Sequence, residues 1–178
     1  LAAAISISAM GATRKKTASK SKLSAKTLEL NLIHINDHHS HLEEEKMDLV
    51  LNGKKVTVNV GGMPRMIQRI IDLKKSGKNN LVLHAGDALS GTLYYTLFKG
   101  KADAALMNVG HFDLFALGNH EFDDGNTVLK NFLDELKIPV VSANVVPDKG
   151  SILEGKWTPY VIRKIDGQDV AIVGLDVV

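Results

Sequence analysis

No cysteine occurs in this chain of 178 residues, which excludes disulfides, thiolate metal sites and cysteine nucleophiles together. Aromatic residues are scarce, at 5%, so large stacking platforms for nucleic-acid bases are not expected. Acidic residues are missing from positions 1–26, where six basic ones stand: Arg14, Lys15, Lys16, Lys20, Lys22 and Lys26. Removing those six from the net charge of +2 leaves residues 27–178 at −4. The basicity therefore belongs to a terminal stretch. The mildly acidic remainder suits cations better than a phosphate backbone, and no nucleic-acid polymer is expected as a partner. Ordinary contents of hydrophobic (44%) and charged (24%) residues describe a globular domain large enough to bury a core.

The opening run LAAAISISAMGA is apolar and uncharged but too short to cross a bilayer, so no stable membrane span is expected. With small residues near Ala9-Met10-Gly11-Ala12, it has the pattern of the later part of a secretory signal. The following TRKKTASKSKLSAKT is polar and low in complexity. Residues 1–27 are thus expected to be a signal-peptide remnant and a disordered basic tail, on a periplasmic or secreted protein.

From Leu28 onward, strands and helices alternate. LELNLIHI, NLVLHAGD, FDLFALGNHE and IPVVSANVV read as buried strands. MDLVLNGKKVTVNV, with Asn-Gly at its centre, and YVIRKI/VAIVGL, with Asp-Gly between them, read as hairpins. A helix follows Gly61-Gly62, with Pro64 in its first turn and Gly77 as its stop. Two more helices flank Gly100, and NTVLKNFLDELK is amphipathic, with Asn126 or Thr127 able to cap it. This order indicates an α/β fold on a largely parallel sheet.

Three of the strands end in polar residues: Asn36-Asp37-His38-His39, Gly86-Asp87 and Gly118-Asn119-His120-Glu121. Ligands of open α/β sheets bind outside the carboxyl ends of the strands, so these loops are expected to converge. Asp37, His39, Asp87 and Asn119 form a mixed N/O set suited to divalent Zn, Mn, Fe or Co. Asp37 and His39 offer two ligands from one loop. Asp87 has two oxygens and could bridge two ions, and Asn119 adds an oxygen without charge. Paired ions about 3.5–4 Å apart generate hydroxide and hold an in-line phosphoryl displacement. Adjacent side chains usually point apart, so if Asn119 faces a metal His120 is free to face the substrate, as an acid or a positive charge. Asp123, three residues on, is placed to hold its ring.

DHH, the GD after an apolar strand, and GNHEFD together resemble the calcineurin-like metallophosphoesterases. LIHINDHHSHLE, LVLHAGDALSGT and MNVGHFDLFALGNHEFD resemble their 5'-nucleotidase branch. The resemblance implies a sandwich of β-sheets flanked by helices. It assigns Asp37, His39 and Asp87 to a first ion, Asp87 and Asn119 to a second, and His120 with Asp123 to catalysis. It implies a nucleotide substrate, with residues 28–178 as the N-terminal part of a catalytic domain and the C-terminal substrate domain outside the chain. The family's further ligands, mostly histidines, come from later positions. None of the seven histidines here (34, 38, 39, 41, 84, 111 and 120) follows residue 120, so the activity implied is that of a longer protein. Rival readings on the same scaffold are a 2',3'-cyclic nucleotide phosphodiesterase, a sulfur-ester hydrolase and a non-catalytic secreted binding protein.

The remaining polar residues have plainer expectations. His38 and His41 are loop histidines, His34 and His84 hydrogen-bonded structural ones, and His111 belongs to a surface turn. Glu43-Glu44-Glu45 is a solvated run, and Glu121 a hydrogen-bonding support for the site.

Overall fold

Both faces of the strand Asn80–His84 are buried, which is why NLVLH is apolar without alternating. Its neighbours are parallel, and each is reached by a crossover that contains a helix. The computed structural model describes residues 4–9 and 27–177. In chain order the elements are β1 (Ala4–Ala9), β2 (Asn31–Ile35), β3 (Glu44–Leu51), β4 (Lys54–Gly61), α1 (Met63–Ser76) and β5 (Asn80–His84). Then come α2 (Leu93–Phe98), α3 (Lys101–Val109), β6 (Leu114–Ala116), a 3-10 turn (Asn119–Phe122) and α4 (Gly125–Glu135). The last are β7 (Val140–Val141), β8 (Tyr160–Ile165) and β9 (Gln168–Leu175).

A parallel sheet runs β2-β5-β6-β7, and an antiparallel one runs β1-β9-β8. The pleat of the parallel sheet sorts the core into two layers. Val82 and Phe115 face the helices, packing with Met63 and Ile70 of α1, Met107 of α3, and Leu129 and Phe132 of α4. Leu81, Leu83, Leu114 and Ala116 face the other way, onto Val170 and Ile172 of β9. The result is the expected sandwich of β-sheets with helices outside one of them. Gly174 lets the sheets approach: a Cβ there would lie 2.5 Å from the Val141 carbonyl oxygen.

Both expected hairpins form. Asn52-Gly53 (φ 51° and 76°) and Asp166-Gly167 (φ 47° and 75°) take the positive φ at both central positions that tight hairpin turns need.

Several local expectations change. β3 begins at Glu44, and the acidic run is exposed as expected but also partnered. Glu44 ion-pairs with Arg65, Glu45 with His41 (2.8 Å), and Glu43 accepts from the Tyr94 hydroxyl (2.6 Å). Gly77 ends α1 in an extended conformation. A side chain there would collide with Asn31 and Asn80, so close approach rather than a left-handed turn explains the glycine. Asp124, not Asn126 or Thr127, holds the N-cap position of α4, but its side chain makes no cap bond and its carboxylate is taken by Lys99 (2.7 Å). Only Val140–Val141 of IPVVSANVV is strand.

Ala4–Ala9, expected as part of a leader, lies antiparallel to β9. The basic stretch falls at 10–26, outside the described residues. Among the described residues no helix is long and apolar enough to cross a membrane.

Candidate metal and catalytic site

Pairing between β2 and β5 does not stop where the strands end. Ala85 N–H donates to the Ile35 carbonyl (2.8 Å), Asp37 N–H to Gly86 (3.0 Å), His39 N–H to Asp87 (3.2 Å) and Ser40 N–H to Ala88 (2.9 Å). The two polar loops are thereby laid side by side. To follow this path Asp37 (φ 52°), His39 (φ 44°), Ser40 (φ 54°) and Asp87 (φ 55°) adopt left-handed backbone. That costs roughly 1–2 kcal/mol for a residue with a Cβ. Residues held in such conformations cluster where a site needs them.

Asp87 is buried at the centre of the group. His120 N–H donates to its Oδ1 (3.0 Å), and Gly118 lies flat against it. A methyl group on Gly118 would stand 2.3 Å from that oxygen, so only glycine fits. Burial pushes the Asp87 carboxyl up, the His120 N–H pulls it back, and the nearby Asp37 carboxylate raises it again. A buried carboxylate pressed by another carboxylate calls for a cation.

His39 is oriented for a ligand role. Its Nδ1 lies 3.0 Å from the Leu89 carbonyl oxygen, which can only accept, so the proton sits on Nδ1. Nε2 is left with a free lone pair, 3.9 Å from Asp37 Oδ1. Ligating atoms of His39, Asp87 and His120 all lie within 4.8 Å of one another. The His39 and His120 rings meet edge to face at 4.9 Å. Asn119 opens the 3-10 turn between Gly118 and His120. The nitrogen and oxygen donors, the free Nε2 and the crowded carboxylates fit a borderline divalent ion.

His120 Nδ1 lies 2.8 Å from Asp123 Oδ2. That hydrogen bond is the main reason His120 holds its proton to higher pH than an ordinary imidazole, against the opposing effect of burial. A metal ligand must be a neutral imidazole, so the raised pKa favours a proton-donating role for His120.

Glu121 is the hydrogen-bonding support expected from the sequence. Fully buried, it accepts N–H bonds from Asp87 (2.9 Å), Ala88 (2.7 Å) and Leu89 (3.2 Å) in one loop, and from Gly118 (2.6 Å) in the next. Burial pushes its carboxyl up, against the pull of the Gly118, Asp87 and Leu89 N–H groups. Four donors converging on two oxygens leave no acceptor for a carboxyl proton, so the arrangement is that of a carboxylate.

The other histidines divide. His38 and His84 turn inward and bond to each other (2.8 Å). Burial, then His38, pushes the His84 pKa well down. His34, expected as a hydrogen-bonded structural residue, is exposed, because β2 is an edge strand and its alternation sends residue 34 outward. His111 is an exposed turn residue at φ 59°. Asn144 and Asp176, which carry no signal in the sequence, join the ends of β7 and β9 through two bonds between the Asn144 side chain and the Asp176 backbone (2.7 and 2.9 Å). Nothing in the string GLDVV signals that contact.

The sequence pattern of the calcineurin-like phosphoesterases matches residues 30–169. The chain is 53% identical to the NAD 5'-nucleotidase of Haemophilus influenzae over 98% of its own length and 29% of the relative's. It resembles the solved structure of Haemophilus influenzae NAD nucleotidase with a TM-score of 0.81, over 85% of this chain and 30% of that one. A 5'-nucleotidase precursor from Thermus thermophilus is similar at 39% identity and a TM-score of 0.74, over 83% of this chain and 28% of that one. The chain thus spans less than a third of these relatives.

Two outcomes are expected. Glu121→Gln sets an amide N–H₂ against backbone N–H donors and should lower unfolding free energy by about 1–3 kcal/mol per donor left unpaired. Denaturant unfolding at the wild-type pH optimum for stability measures this, and an unchanged midpoint would contradict the clasp. Asp123→Asn should bring the His120 titration midpoint down toward that of a free imidazole, so that the ring loses its proton at lower pH. NMR titration of the metal-free protein reads the shift, and an unmoved midpoint would count against the pair.

Proposed function

We propose, for a chain that belongs to the calcineurin-like phosphoesterase family, that residues 28–178 are the N-terminal part of a domain that hydrolyses nucleoside 5'-phosphates with two divalent ions. The observation that carries this reading is the convergence of His39, Asp87 and His120 within 4.8 Å at the carboxyl ends of parallel strands. Similarity to an NAD 5'-nucleotidase and to a 5'-nucleotidase precursor supports nucleotides, including those with a second group beyond the phosphate, as the substrate class.

Asp37, His39 and Asp87 would hold one ion, and Asp87 with Asn119 would contribute to a second. Zn, Mn, Co and Fe all suit this donor set. When bound, such ions neutralise charge at phosphorus and make water nucleophilic at neutral pH. The chain's own residues do the rest. Leu89 fixes the tautomer of His39, leaving Nε2 bare. Glu121 holds the Asp87 and Gly118 turns in register. His120, kept protonated by Asp123, presents Nε2–H toward the reaction centre. There it can stabilise charge on the phosphate or donate to the leaving oxygen.

The test uses the whole protein. Elemental analysis should find about two ions per chain, and phosphate release from AMP should depend on them. His120→Ala should lower turnover by roughly 10²–10⁴-fold while ion content stays unchanged. Folded protein that, resupplied with Mn or Zn, holds no ion and releases no phosphate would refute the proposal.

A further inference from the structure

Beneath the metal loops lie three polar side chains, two of them buried and His38 partly so, that the chemistry above does not use. His84, with no exposed surface, is wedged edge-on between Phe112 and Phe115 (ring centroids 5.6 and 5.2 Å). The Gly86 N–H donates to its Nδ1 at 3.2 Å. A nitrogen that accepts carries no proton, so the His84 proton sits on Nε2. Nε2 lies 2.8 Å from His38 Nδ1, which therefore accepts. A proton on His38 Nδ1 would meet the His84 N–H head-on, so His38 carries its proton on Nε2, 3.1 Å from Asp103 Oδ1. Asp103 is fully buried in the first turn of α3, where the helix N-terminus favours a carboxylate. Its other oxygen has no partner among the described residues. Protons thus run in one direction, from Gly86 N–H through His84 and His38 to Asp103.

We propose that this relay is a positioning device for the first two metal loops, a role that rests on the two-ion reading for its catalytic consequence. His38 stands between Asp37 and His39. Drawing its ring inward to Asp103 and His84 turns the two flanking ligands outward. Gly86, the relay's first donor, precedes Asp87. Both loops are therefore pinned to α3 by one order of protons, which offsets the cost of their left-handed residues. His38, His84 and Asp103 are positioning residues that never touch substrate.

The test has two arms on the whole protein. Imidazole ¹⁵N NMR of the wild type should show the Nε2–H tautomer for both His38 and His84; an Nδ1–H on either ring overturns the relay. Asp103→Leu removes the acceptor, whereas Asp103→Asn keeps a carbonyl oxygen for the His38 N–H. Mn²⁺ titration should find Asp103→Leu weakened by about 10–100-fold, as loss of a support behind a ligand commonly causes, and Asp103→Asn close to wild type. Wild-type affinity in Asp103→Leu, or equal loss in both variants, overturns the positioning role. A wild type that binds no Mn²⁺ yet shows both predicted tautomers overturns the two-ion reading instead.

Discussion

Four backbone N–H groups, three from the turn after β5 and one from the turn after β6, end on the two oxygens of Glu121. A carboxylate taken out of water without partners costs several kcal/mol, and charge-assisted hydrogen bonds of about 1.5–3 kcal/mol each offset that cost. The bargain is local but its consequence is not. Because the donors belong to two loops, satisfying one buried charge fixes the distance between Asp87 and the Gly118–Asn119–His120 turn. Asp87 then accepts from His120 N–H, and Gly118 fits against Asp87 only because it lacks a side chain.

The sheet supplies the rest of the convergence. Parallel strands deliver their carboxyl ends to one edge, and the β2–β5 ladder continues past both strand ends for three further residue pairs. Asp37 and His39 are therefore placed by backbone hydrogen bonds rather than by flexible side chains. The hydrophobic layers on both faces of β5 and β6 make this edge rigid. A rigid edge can hold left-handed residues and crowded carboxylates, and the ions proposed to bind there would relieve the crowding.

Much of this was legible in the sequence because it follows from periodicity and punctuation. Apolar runs broken by Gly-Asp or Gly-Asn-His gave the strand ends, Asn-Gly and Asp-Gly gave the two hairpins, and the order of strands and helices gave the α/β fold on a parallel sheet, while the sandwich came from the family resemblance. What stayed hidden depends on distance through space. Nothing in the string shows that Glu121 reaches back more than thirty positions to Asp87, Ala88 and Leu89, or that His38 meets His84 and Asp103. His34 was misjudged because a strand's place at the edge of its sheet is a property of topology, not of the strand. The start of β3 at Glu44 escaped because charged residues fit an exposed ribbon without an apolar signal. The paired Asn144 and Asp176 escaped because a bond between two loop ends leaves no pattern.

These strand ends are proposed to build a site for two ions that share Asp87. Anomalous diffraction from Mn-loaded crystals of the whole protein tests it most directly. Two peaks about 3.5–4 Å apart, one against Asp37, His39 and Asp87 and the other against Asp87 and Asn119, are the predicted result. Peaks elsewhere, or none at Asp87 in crystals that hold Mn, would contradict the account.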